Sequence, residues 1–145
     1  KGLARADGVL VLLPADLPQA DAGLIALLKG PPLLTGHLAP AAPPPKGPQV
    51  GFAGIGKPWK VERALQAAGC ELADFAPFPD HAAYDEALLR RLAERAAQFG
   101  AGLVTTEKDW ARLSPEWRAK VTPWPVRAEF DDPASLDALL AKACL

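Results

Sequence analysis

The sequence predicts an α/β fold: a doubly wound, mostly parallel sheet with helices on both faces. Three observations lead there. Strand-length apolar runs alternate with amphipathic helical stretches from residue 50 onward, and that alternation builds parallel strands covered by helices. Half of the 145 residues are apolar, which is enough for a sizeable core. Three polar turns follow three successive strands, at the C-terminal ends where open sheets bind ligands. A sheet of about four to six strands is expected.

The elements follow in order. Gly8 to Leu13 reads as a buried strand stopped by Pro14 and Pro18. Asp21 caps a short helix carrying Leu24, Ile25, Leu27 and Leu28, which Gly30-Pro31-Pro32 terminates. Leu33 to Leu38 is a second short strand. The stretch Ala39 to Pro48 holds five prolines in ten residues, which no helix or central strand sustains. It reads as an exposed, semi-rigid linker. The expected division is therefore 1–38 as a small N-terminal piece, 39–49 as linker and 50–145 as the C-terminal α/β domain.

Within that body Val50 to Ala53 is a strand, and Pro58 opens a helix with Val61, Ala64, Leu65 and Ala68 on one face. Gly69 ends it. Cys70 to Phe75 is a strand. Tyr84 to Phe99 is a helix with an apolar stripe of Leu88, Leu92, Ala96 and Phe99. Leu103 to Thr106 is a strand, Ser114-Pro115 opens a short helix, and Trp124 to Phe130 contains another strand. Asp132-Pro133 caps a last helix that turns Leu136, Leu139, Leu140 and Ala143 inward.

Composition narrows the function classes. A net charge of −1 and a pI near 6.1 argue against a nucleic-acid partner, which calls for a basic face. The mean hydropathy of +0.04 with 23% charged residues is that of a globular chain, not a disordered one. No apolar run approaches the ~20 residues of a membrane span. No signal peptide is expected. Two cysteines, Cys70 and Cys144, exclude a disulfide scaffold and a zinc ribbon and suit a reducing compartment. The chain has no methionine and begins at Lys1, so a piece of a longer protein is expected.

Chemistry concentrates in the three turns. Gly51-Phe-Ala-Gly54-Ile-Gly56 lies where a strand meets a helix, a place where backbone amides can approach an anion. Its spacing is neither the dinucleotide fingerprint nor a P-loop, so on pattern alone it reads as a tight turn. Phe78-Pro-Asp80-His81 puts a histidine beside a carboxylate, a pair suited to acid–base work near neutral pH. Asp80 as a helix cap and His81 as a solvated loop residue is the competing reading. Thr105-Thr106-Glu107-Lys108-Asp109 crowds hydroxyls, carboxylates and an amine into one turn. There Lys108 can hold a phosphate, and Asp109 can hold a metal or cap a helix. His37 has no acidic neighbour in sequence and is given a structural or exposed role. The four tryptophans are assigned to packing.

Taken together and in order, Gly51 to Pro58, Phe78 to His81 with Tyr84, and Thr105 to Asp109 with Arg112-Leu113 resemble the C-terminal portion of the tetraacyldisaccharide 4'-kinase family, the lipid A 4'-kinases of Gram-negative bacteria. The resemblance runs from about Gly2 to the end. It implies a membrane-associated P-loop kinase at the cytoplasmic face of the inner membrane. Such an enzyme moves the ATP γ-phosphate to the 4'-hydroxyl of a lipid disaccharide 1-phosphate, with Mg2+. It implies that the phosphate loop and magnesium-binding acids lie in an N-terminal domain. No G-x-x-x-x-G-K-[ST] occurs in this chain, so the chain alone is expected to bind neither ATP nor metal and to be inactive. It implies further that His81 orients or tunes a general-base aspartate of that domain. Asp80 is a weaker catalytic candidate, and Gly54, Gly56, Thr106, Lys108 and Asp109 are candidates near substrate or phosphate. Lys57, Trp59-Lys60-Val61 and Ala82 depart from the family pattern and leave His81 untouched. The competing function is a non-catalytic anion- or nucleotide-binding α/β module. The three turns are expected on one sheet edge, with His81 largely exposed.

Overall fold

The structure, a computed structural model, describes residues 3–13 and 21–143. The stop assigned to Pro14 and Pro18 lies outside the described residues. After a 3-10 turn at Leu3–Arg5 come β1 (Val9–Leu13), α1 (Ala22–Leu27), β2 (Leu33–Pro40), β3 (Gln49–Ala53), α2 (Pro58–Ala67) and β4 (Leu72–Pro77). Then follow α3 (Glu86–Gln98), β5 (Gly102–Thr106), α4 (Glu107–Trp110), α5 (Pro115–Arg118), β6 (Val121–Trp124), β7 (Val126–Phe130) and α6 (Pro133–Ala143). These elements form two compact units, residues 1–39 with 126–145, and residues 40–125.

The first unit holds a three-stranded sheet in the order β1-β2-β7. β1 and β2 run parallel, from Val9 opposite Leu33 to Leu13 opposite His37. Asp21 caps α1 by accepting from the Leu24 N–H at 3.0 Å. Asp132 caps α6 through the Ser135 N–H and hydroxyl.

The second unit is a four-stranded, all-parallel sheet in the order β4-β3-β5-β6. β3 has strands on both sides, and all five of its residues are buried. Helix α3 covers one face, packing Leu89, Leu92 and Ala96 with Val50, Phe52, Leu103, Val121 and Trp117. On the other face Leu65 of α2 packs with Cys70, Val104 and Trp124. Leu103 and Val104 are neighbours on β5 and belong to opposite clusters, as the two-residue period of a strand requires. The doubly wound, parallel fold class therefore holds, with four strands in this sheet.

Several boundaries differ from the sequence expectation. The stretch Trp124–Phe130 contains β7, as expected, but starts on the last residue of β6: Pro125 separates the two strands, and they belong to different sheets. Proline carries no N–H for a ladder and breaks the pairing there. Residues 126–143 thus group with the first 39 residues, not with 50–125 as expected. The proline-rich segment is not wholly an exposed linker. Ala41 N–H donates to Pro125 O at 2.9 Å, and the Trp124 indole donates to Ala42 O at 3.2 Å. The α3 stripe centres on Leu89 rather than Leu88, and Phe99 is half exposed at the helix end. In α6 no residue is fully buried, and Leu140 and Ala143 face solvent.

Candidate functional site

The order β4-β3-β5-β6 creates a switch point. The chain leaves β3 for β4 on one side, while β5 lies on the other side and leads on to β6. Ligands of open parallel sheets bind in the crevice outside such strand ends. All three sequence-predicted turns are brought to this edge. The turn after β3 carries Gly54 and Gly56, the turn after β4 carries Asp80 and His81, and β5 leads directly into α4 with Lys108 and Asp109. Hydrogen bonds join them. Phe78 N–H donates to Ala53 O at 2.8 Å and His81 N–H to Gly54 O at 3.3 Å. Gly54 N–H donates to Asp109 Oδ2 at 3.0 Å.

Most of the motif residues build the site rather than face a ligand. Phe52, Phe78 and Tyr84 form a triangle of edge-to-face rings with centroids 5.4 to 6.5 Å apart. The triangle anchors both ends of the Phe78–Tyr84 loop on the core. Gly54 lies under Tyr84: a Cβ there would stand 2.6 Å from the phenol oxygen. At Gly56 the nearest atom is an Asp80 oxygen 3.9 Å away, so that glycine has room around it. Burial above all, and then the neighbouring Asp109 carboxylate, push the Tyr84 phenol well above its ordinary pKa. Its hydroxyl is buried with no well-formed hydrogen bond and stays neutral.

Asp109 is fully buried. Its Oδ2 accepts from Gly54 N–H and, at 2.8 Å, from the Thr106 hydroxyl. Its Oδ1 faces Arg112 Nη1 at 3.3 Å. Asp109 N–H in turn donates to Thr106 Oγ1 at 3.1 Å, capping α4. Of the two readings of Asp109, metal ligand or helix cap, these contacts favour the structural one: both oxygens are engaged inside the protein, as a buried carboxylate requires. The α4 helix was missed in the sequence, although Thr106-x-x-Asp109 is a capping pattern. Thr105, also buried, donates its hydroxyl to Phe52 O at 2.6 Å across the sheet.

The groups left to act on a ligand are His81, Asp80 and Lys108. The His81 side chain is 75% exposed, with Nε2 3.7 Å from Asp80 Oδ2. Lys108 Nζ stands 3.5 Å from Asp80 Oδ1 and is also exposed. Contacts this long and this wet contribute little to stability, so the charges remain available. His81 is the sole non-glycine among the described residues with positive φ, at 61°. That left-handed conformation costs about 1–2 kcal/mol for a residue with a Cβ. His37, assigned no acidic neighbour, finds one in space: Nε2 lies 3.6 Å from Glu129 Oε2. Trp117 and Trp124 are core residues, whereas Trp59 is half exposed, with Lys60 and Arg63 beside its ring.

Among the described residues no group of three or more His, Cys, Asp or Glu side chains is placed to hold a metal ion. The sequence contains no G-x-x-x-x-G-K-[ST] motif, and both Asp109 oxygens are engaged within the protein.

The chain is thus an α/β domain whose doubly wound parallel sheet carries an exposed histidine and lysine at its switch point. Known proteins narrow that class. The family described as LpxK, tetraacyldisaccharide-1-P 4'-kinase, matches residues 1–145, and the chain belongs to this family. The tetraacyldisaccharide 4'-kinase of Caulobacter sp. strain K31 is 68% identical over 95% of this chain and 41% of its own length. That of Phenylobacterium zucineum is 66% identical over 96% of this chain and 42% of its own. The chain thus spans about two fifths of these relatives. The crystal structure of the "apo" form of LpxK from Aquifex aeolicus in complex with ATP covers 97% of this chain and 43% of its own. Its TM-score is 0.61 at 18% identity, a likeness of fold.

Proposed function

We propose that this chain supplies one wall of the catalytic cleft of a tetraacyldisaccharide 4'-kinase, with His81 facing the acceptor hydroxyl. The observation that carries the reading is the exposed His81, held in a left-handed backbone conformation at the switch-point edge of a family member. An outlier of this kind persists only where its surroundings impose it, and such outliers gather at functional sites.

The reaction is phosphoryl transfer to the 4'-hydroxyl of a tetraacyl disaccharide 1-phosphate, a step of lipid A biosynthesis in Gram-negative bacteria. Positioning and electrostatics supply most of the rate in such transfers. ATP with Mg2+ supplies the phosphoryl group when bound, through residues of the full-length enzyme outside this chain. His81 orients or tunes the general-base aspartate that the family resemblance implies. Asp80 stands beside the imidazole, and Lys108 presents a cation toward the phosphate-bearing substrate. A lipid acceptor calls for contact with a membrane, and the family resemblance implies the cytoplasmic face of the inner membrane.

The test is His81→Ala in the full-length enzyme. Turnover should fall by roughly 10²- to 10⁴-fold, the range for a positioned acid–base group, while the KM for ATP moves little. The 145-residue chain alone serves as a control and should transfer no phosphate to the lipid acceptor. Wild-type kcat in the folded variant, or a defect confined to the KM for ATP, sinks the reading.

A further inference from the structure

We propose that Arg112 is a positioning residue for His81, acting with Asp109 to lock the backbone of the Phe78–Tyr84 loop in the conformation that presents the imidazole to the crevice. The inference rests on the reading of His81 given above and assigns a role to a turn that reading leaves without one.

His81 has a left-handed backbone, with φ at 61°. Glycine takes that conformation freely, whereas the Cβ of His81 makes it costly, so contacts from outside the loop help to hold it. On the amino side His81 N–H is held by Gly54 O and by Asp80 Oδ1. On the carboxyl side the restraint arrives from thirty residues away, where Arg112 Nη2 donates to Ala82 O, the carbonyl just after His81. The same guanidinium donates through Nη1 to Asp109 Oδ1 and lies 5.4 Å from the centre of the Tyr84 ring that closes the loop.

Asp109 is the fixed end of this strut. It is fully buried, and its second oxygen holds Gly54 N–H. Both backbone neighbours of His81 in space, Gly54 and Ala82, are therefore tied to one carboxylate, Gly54 directly and Ala82 through Arg112. A planar guanidinium can serve a carboxylate and a carbonyl in two fixed directions at once. A lysine ammonium supplies the charge without the fork. Loss of the strut leaves His81 chemically intact and lets its backbone relax toward an ordinary conformation, which moves the imidazole. Misplacing a catalytic group by about 1 Å is enough to cost on the order of 10²-fold in rate.

The experiment uses the full-length enzyme and four variants: Arg112→Gln, Arg112→Lys, His81→Ala and the Arg112→Gln/His81→Ala double variant. Thermal midpoints are recorded beside kcat and the KM for ATP. Arg112→Gln should lower kcat by about 10-fold or more, within the ~10²-fold span of such misplacements, with little change in the KM for ATP. Arg112→Lys, which keeps a cation facing Asp109, should fall between wild type and Arg112→Gln. In the His81→Ala background Arg112→Gln should lower kcat by less than about twofold, because residues acting as one unit are not additive. A merely structural arginine would lower the midpoint and spare the kcat of folded enzyme, or would remove the same factor in both backgrounds. Either result overturns the inference. Should Arg112→Gln not fold, wild-type kcat in Arg112→Lys overturns it. Wild-type turnover in His81→Ala refutes the His81 reading itself, and the strut then has no catalytic group to position.

Discussion

The unit of residues 40–125 holds 11 leucines and valines and the unit of residues 1–39 with 126–145 holds 18, yet they bury them very differently. Among the described residues every buried apolar side chain lies between Val50 and Trp124. In the other unit Leu10 and Leu12 are each 47% exposed and Leu27 is 76% exposed. The difference is one of layers, not of composition. β3 has a strand on each side and a helix on each face, so every residue on it is enclosed. β1 is an edge strand whose alternate residues face outward. Apolar side chains stabilise a fold only where a second layer removes them from water. That is also why the candidate site is built on the first of these units: a turn held to sub-ångström precision needs a rigid base.

This contrast can be broken by mutation. Phe52 is fully buried and is the base of the aromatic triangle. Phe52→Ala should cost about 3–5 kcal/mol in urea unfolding, the usual range for a core aromatic. Leu12→Ala, on the outward side of β1, should cost under about 1 kcal/mol, in keeping with a surface-type substitution. Equal losses would show that Leu12 is covered in the protein as it exists, and the comparison of the two units would fail.

A smaller effect sharpens the comparison within a single turn. Gly54→Ala sets a methyl group 2.6 Å from the Tyr84 oxygen and should cost about 1–3 kcal/mol as overpacking. Gly56→Ala meets only an Asp80 oxygen at 3.9 Å, an ordinary contact, and should stay within about 0.5 kcal/mol. Thermal unfolding of the two variants separates them, and an equal cost would mean that Gly54 is not pinned beneath the ring.

The smallest effect is a pH dependence. The Trp117 indole donates to Glu86 at 2.7 Å, and this bond first, then Arg90, hold the Glu86 carboxyl below its ordinary pKa. The ionised form is the one favoured by folding. Its contribution is present above the ordinary glutamate value of about 4.5 and is lost as pH falls through and below it. Glu86→Gln should flatten the acid limb of the stability curve between roughly pH 5 and 3. An unchanged acid limb would mean that the indole contact does not persist in solution.

What the sequence alone determined is local. The 3.6-residue stripe of α3, the apolar runs of β3 and β5, the proline at the start of α2 and the Asp21 and Asp132 caps are properties of a dozen neighbouring residues or fewer. They follow from side-chain periodicity and from the orphan groups of helix ends. The three polar turns could be placed on one edge from alternation alone, because parallel strands end together. The tertiary structure decided which chain segments meet. β7 joins β2 although it follows β6 after one proline, and Asp131 bonds Thr35 across 96 positions. From its type and place alone Asp109 could be a metal ligand or a helix cap. Only the approach of Gly54, 55 residues earlier, together with the Arg112 guanidinium, turns it into a buried anchor. A residue's chemistry is carried by its type, but whether that chemistry faces solvent or protein depends on partners far away in the chain, and no local pattern encodes them.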